Sequence, residues 1–219
     1  MLSNSAVTNS VNKLINGFLL FLSSEKRYSK NTIISYQSDL NNFFLFLKDH
    51  FNKQIDVCDL EKLKNQDFRS FLANQYDNNI ANISNARAVS VLRSFFHYLN
   101  SAKKILNSQI YNIKIPKIPK SLPKAIDEID IDKIMELIKG FNKYEWCYRR
   151  DLALVTLIYG TGLRLSEALS ISKSDISNEE FILVKGKGGK ERMVPILPII
   201  LKRINGYLKI CPYGVSKYD

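Results

Sequence analysis

Apolar residues recur through the first hundred positions at the three- and four-residue spacing of a helix face. Val11, Leu14, Ile15, Phe18, Leu19 and Leu22 keep that spacing, with Asn12, Asn16 and Ser23 between them, and predict an amphipathic helix through the segment Leu14 to Ser24. Lys13 followed by LINGFLLFLSS imitates the apolar region of a signal peptide, but an A-x-A-like cleavage site is missing and the helix is favoured. Thr32 is placed to cap a second helix, with Ile33, Tyr36, Leu40, Phe43, Phe44 and Leu47 inward. A third runs from about Asp67 to Tyr76 on Phe68, Phe71 and Leu72. The fourth starts near Ser84 and carries Ala88, Leu92, Phe95, Phe96 and Leu99 on one side. Four such helices with few glycines and no strand-like alternation predict a small all-α bundle over residues 1–102.

The pattern breaks between Lys103 and Ile126. Pro116, Pro119 and Pro123 recur there, with six lysines (103, 104, 114, 117, 120 and 124) and no acid. Prolines at this density oppose a helix and favour an extended connection, so 103–126 is expected to be a linker. In residues 127–219 the period is mixed. Helices are predicted from Asp130 or Ile131 to Ile138, from Arg150 to Tyr159 before the breaker Gly160-Thr161-Gly162, from Leu163 to Ile171, and from Leu197 to Ile210. Between the last two, FILVKG and RMVPI flank Gly-Lys-Gly-Gly-Lys-Glu, a hairpin signal. The expected fold class is mainly α, with a small hairpin or sheet confined to an α+β second domain.

Charge changes the picture more than composition does. The 219 residues hold 32 Lys and Arg against 21 Asp and Glu, a net +11, which points to a polyanionic partner. Cys58, Cys147 and Cys211 are far apart and odd in number, which predicts a reducing compartment and no zinc site. The longest uncharged stretch near the middle, Leu152 to Leu163, is 12 residues and too short to span a bilayer, so no membrane partner is expected.

Three places carry candidate chemistry. In LIYGTGLRLSEAL, Arg164 sits between leucines with Glu167 three residues on. This reads as an ion pair at a core edge, or as a guanidinium held for a phosphate near a helix N-terminus. In Lys185 to Arg192, four basic residues surround a glycine-rich tip. That is a soluble turn, or a tip able to enter a groove and donate a proton to a leaving oxygen. On the fourth helix, Arg87, Ser90, Ser94 and His97 form a polar stripe with Arg93 at its edge. This is a solvated face, or a DNA contact to which Ser29, Lys30, Asn31 and Thr32 add. The linker lysines, Lys114, Lys117 and Lys120 among them, suit a phosphate backbone equally well.

Taken in order, SKNTIISYQSDL, NARAVSVLRSFFHYL, PKIPKSLPKAI, GTGLRLSEAL and KGKGGKERMVPI resemble the tyrosine recombinase (phage integrase) family, and within it the Xer-type recombinases of bacteria. The resemblance implies an N-terminal core-binding domain and a partial catalytic domain closing on duplex DNA as a clamp. It implies cofactor-free, metal-free strand exchange through a 3′-phosphotyrosine, of the kind used in chromosome dimer resolution and partition at cell division. Four protomers, alike or paired with a related recombinase, would assemble on two sites in a bacterial cytoplasm. By the resemblance Arg164 stabilises the non-bridging oxygens, Glu167 orients it and Lys187, 23 residues after the arginine, protonates the 5′ oxygen. Lys190 and Arg192 would add DNA contacts.

The family continues with His-x-x-Arg, a second His or Trp, and the tyrosine. Here the only histidines are His50 and His97, followed at the third position by Lys53 and Asn100. Tyr207, Tyr213 and Tyr218 come soon after the hairpin, and none is nominated as nucleophile. The stretch from Pro212 to Asp219 therefore reads as a truncated or frame-shifted end. The alternative to a recombinase is a non-catalytic DNA-binding remnant or a modulator occupying recombination sites. A basic RNA- or membrane-binding helical protein ranks last because it leaves the ordered motifs unexplained.

Overall fold

The computed structural model describes residues 6–103, 105–115, 126–177, 180–186 and 190–213. The chain forms two compact units, residues 1–121 and 122–219.

The first unit contains α1 (Asn9–Ser24), α2 (Lys30–Phe51), α3 (Val57–Lys62), α4 (Asn65–Asp77) and α5 (Asn82–Lys103). The predicted inner faces close on one another around phenylalanine. Phe18, Phe43, Phe44, Phe68, Phe71, Phe95 and Phe96 are all fully buried, with Phe43 stacked on Phe68 at 5.6 Å and edge-on to Phe71 at 5.2 Å. α2 starts before Thr32. Its cap is Ser29, whose extended backbone leaves the hydroxyl free to accept the Thr32 N–H at 3.3 Å, so Thr32 lies within the first turn. α4 starts two residues before Asp67, because the Asp67 carboxylate accepts the Lys64 N–H at 2.7 Å from the third helical position. α3 was not expected. It has six residues, one of them (Leu60) buried, and Asp59 secures its start by accepting the Asp56 N–H at 3.0 Å.

The expected extended linker is corrected over its first part. Residues 109–112 form a 3₁₀ turn, and Ile105, Ile110 and Ile113 are buried in the first unit's core. Asn107, 5% exposed, donates to the carbonyls of Leu60 at 2.7 Å and Leu63 at 2.9 Å and accepts the Gln109 N–H at 2.9 Å. Three isoleucines and a satisfied asparagine outweigh the extended tendency until the prolines begin. The prolines themselves, with Lys117 and Lys120, lie outside the described residues.

The second unit contains α6 (Glu128–Phe141), α7 (Glu145–Thr161), α8 (Leu165–Ala168), strands β1 (Ile176–Ser177), β2 (Phe181–Lys185) and β3 (Glu191–Pro195), and α9 (Pro198–Leu208). The strands form an antiparallel sheet in the order β1-β2-β3, so the expected hairpin gains a short third strand. Ile182 and Val184 of β2 join Leu157, Leu163, Ala168, Ile196 and Ile200 in a small core. α7 starts five residues before Arg150 and runs through Gly160. It ends at Gly162, whose φ of 65° is the left-handed turn that lets its N–H bond back to Ile158 at 2.9 Å. The helix expected from Leu163 to Ile171 shrinks to the four residues of α8. Leu163 is drawn into the core, Arg164 is extended, and the chain turns again after Ala168. No helix of the described residues is long and apolar enough to cross a membrane.

Candidate functional site

At the start of α8, Leu163 and Ala168 are buried, 3% and 6% exposed, and hold the short helix down from both ends. Between them Glu167 is buried with its carboxylate engaged by four donors. Its Oε2 accepts the Arg164 N–H at 2.9 Å and Arg192 Nη2 at 3.0 Å, while Oε1 accepts Arg164 Nη1 at 3.0 Å and Arg192 Nη1 at 3.1 Å. The Arg192 hydrogen bonds first, and the Arg164 N–H after them, hold the Glu167 carboxyl well below the usual range, at about 2. The same pairing raises Arg192 above its ordinary value. Both predicted residues, Arg164 and Glu167, therefore come together. Arg164 remains outward, its side chain 74% exposed against 7% for Glu167. A helix of four residues has almost no macrodipole, so the anion preference of this place comes from the guanidinium rather than from a helix end.

Arg192, expected beside Lys190 as a DNA contact, instead turns both Nη groups onto Glu167, a partnership that sequence reasoning missed. In the register of β2 and β3 it stands opposite Val184, as Val194 stands opposite Ile182, so it shares the face that Ile182 and Val184 bury, at the edge where its own side chain stays 43% exposed. Directly opposite residues share a face. A cation on that face needs an acid, and Glu167 supplies it. The signal was the phase of Arg192, Val194 and Ile196 in the sequence, one charge in step with two apolar residues. Gly186 makes room for the pair, since a Cβ there would lie 3.2 Å from Arg192 Nη1 and 3.3 Å from the Lys190 carbonyl. The Gly186 N–H closes the hairpin base on that carbonyl at 2.8 Å. Lys190 is exposed, and Lys187 lies outside the described residues.

In the first unit, Lys30, Asn31 and Lys114 are exposed and Thr32 is half-buried. Arg87, Ser90 and His97 face solvent on α5 as the polar stripe requires. Arg87 is also bound at home. Its Nε and Nη2 reach the buried Asp39 carboxylate at 2.8 and 3.0 Å, which raises the arginine above its ordinary value. Arg93 donates to the Ile113 carbonyl at 2.6 Å and thereby holds the segment after α5.

On α9 the Tyr207 hydroxyl accepts from Cys211 Sγ at 3.3 Å, and that contact together with burial pushes it up to about 12. A predominantly apolar cavity of about 630 Å³ opens between α7, α8 and α9, lined by Leu154, Leu157, Leu169, Ile204 and Tyr207 among others. Neither Arg164 nor Glu167 lines it. The exposed arginine thus lies outside that cavity.

Comparison with known proteins follows the same division. Residues 15–103 match the phage integrase N-terminal SAM-like domain, and residues 124–218 match the phage integrase family. The chain is 39% identical over 213 residues to "Tyrosine recombinase XerC" of Rickettsia canadensis, covering 96% of this chain and 69% of that protein. It is 38% identical over 207 residues to the Rickettsia rickettsii protein of the same name, covering 94% and 68%. Among solved structures, XerH site-specific recombinase bound to palindromic difH substrate aligns with a TM-score of 0.59 at 23% identity over 97% of this chain and 66% of that one. A lambda integrase dimer bound to a COC′ core site aligns with a TM-score of 0.69 at 16% identity over 96% of this chain and 57% of that one. The chain spans less than two thirds of either solved chain, and at these identities the likeness is one of fold.

Proposed function

The chain belongs to the phage integrase family of tyrosine recombinases, and from that premise we propose that it is a Xer-type protein that binds duplex DNA for site-specific strand exchange, seating a phosphate on Arg164. The observation that carries this reading is the division of labour in one ion pair: a buried carboxylate fixes the base of a guanidinium whose far side is open. Arg164 would neutralise the non-bridging oxygens as charge develops on them, and Glu167 would spare it reorganisation at that moment. Lys187, which falls between β2 and β3 in the sequence, would give its proton to the leaving 5′ oxygen. Lys30, Asn31, Thr32, Lys114, Lys117, Lys120 and Lys190 would track the backbone, joined by the donors that Arg87 and Arg93 keep beyond their internal bonds. Duplex DNA is the partner in this reading. The solved relatives, described as a DNA-bound dimer and a tetramer on a Holliday junction, suggest assembly of several protomers on it.

No nucleophile is assigned. The sequence holds no His-x-x-Arg, which favours a second reading, in which these 219 residues occupy recombination sites without cutting them. A nicked suicide substrate tests the two together. Loss of a preorganised donor costs ~10²–10³ in rate, and several are missing at once. We expect no covalent adduct from this chain alone, with noncovalent binding intact. An adduct mapped to Tyr207, Tyr213 or Tyr218 would make the chain a competent recombinase, and failure to bind DNA at low salt would end both readings.

A further inference from the structure

We propose that Arg192 is a positioning residue, which keeps Arg164 available for phosphate by filling the Glu167 carboxylate. The proposal rests on the reading of Arg164 as the phosphate-binding arginine. An arginine grips a carboxylate best with two parallel N–H groups on the two oxygens. At Glu167 that fork belongs to Arg192, with Nη1 on Oε1 at 3.1 Å and Nη2 on Oε2 at 3.0 Å. Arg164 is left one side-chain bond, Nη1 to Oε1 at 3.0 Å, beside its backbone N–H on Oε2 at 2.9 Å. A carboxylate has about four lone-pair sites, and these four donors fill them. A second guanidinium N–H of Arg164 therefore has no acceptor on Glu167, and its remaining donors stay on the exposed side.

Without Arg192, two acceptor sites open next to an arginine only three residues away. Arg164 then closes on Glu167 with its own fork, which takes a second of its five donors and turns the guanidinium onto the carboxylate and away from the open side. Arg192 reaches this place because the register puts it on the inner side of β3 and because Gly186 offers no Cβ in its path. The hairpin base and the start of α8 are thus fastened at one carboxylate.

The test is binding of the full chain to a mixed-sequence DNA duplex about 30 base pairs long across a salt series, for wild type, R164Q, R192Q, R164Q/R192Q and R192K, with thermal unfolding of each. Each phosphate contact contributes about 1 to the slope of log affinity against log salt. R164Q is expected to lower the slope by about 1, R192Q by a similar amount, and the double variant by no more than either alone. R192K keeps the charge but not the fork, and is expected between wild type and R192Q. In parallel, the Glu167 carboxyl carbon followed by NMR should titrate higher in R192Q than in wild type. If R192Q does not fold, R192K against R164Q/R192K supplies the same comparison. A double variant that loses about 2 in slope would show Arg192 touching phosphate itself and overturn the proposal. So would an R192K equal to wild type, or an R192Q without effect. An unaffected R164Q would overturn the phosphate reading first, and the proposal with it.

Discussion

Glu167 carries its charge far into acid, and the direction of that shift fixes a pH dependence. Its folded value of about 2 lies below the ordinary 4.5, so the native state holds the proton more weakly than the unfolded chain. The resulting stabilisation is complete above about pH 4.5 and is lost as pH falls toward 2. Urea unfolding of wild type and E167Q should therefore differ most at neutral pH, with the gap closing through that acid window; a gap independent of pH would contradict the pairing. Asp39 is a second buried carboxylate held by an arginine, in the first unit. It is 7% exposed, and its fork to Arg87 ties α2 to α5. Arg87→Met leaves a buried carboxylate without its main donors, and the expected loss is about 2 kcal/mol in chemical denaturation, moderated by water because the arginine is half-exposed.

At the scale of elements, Asn107 fastens the segment after α5 to α3 and its C-terminal end. Asn107→Ala removes the donors to the Leu60 and Leu63 carbonyls, in and just after α3, and the acceptor for the Gln109 N–H, at an expected cost of about 2 kcal/mol. A denaturation midpoint unchanged by this substitution would mean that residues 105–113 only lie against the bundle. The bundle itself was legible because each long helix repeats its apolar residues over several turns; Leu40, Phe43, Phe44 and Leu47 of α2 are all buried as their spacing requires. α3 was not, since six residues with a single buried leucine show no period. The breadth of α8 was misjudged for a different reason. The segment after Gly162 is rich in leucine, but Leu163 enters the core while Leu165 and Leu169 are 58% and 65% exposed, so no apolar face runs on to Ile171. The Arg164–Glu167 pair could be read from three-residue spacing alone. Its third member could not, because the phase of Arg192 shows that an acid is needed and leaves open which of 21 acids it is.

For the whole molecule, charge divides unevenly. Residues 1–121 hold 16 Lys and Arg against 8 Asp and Glu, while residues 122–219 hold 16 against 13. Most of the excess that draws the chain to a polyanion is therefore in the first unit, and duplex affinity should fall steeply with added salt as condensed counterions cease to be released. Affinity insensitive to salt in a filter or fluorescence titration would contradict this. Trypsin should make its first cuts from Lys114 onward, rather than after Lys103, because Ile105, Ile110 and Ile113 hold the intervening stretch in the first core. Mass analysis of the earliest fragments decides it. Those three isoleucines bear on the proposed DNA binding as well. Ile113 is pinned in one core and Glu128 begins α6, and no stretch of chain spans more than ~3.3–3.6 Å per residue. In the proposed complex, a contact made by one unit therefore raises the local concentration of the other.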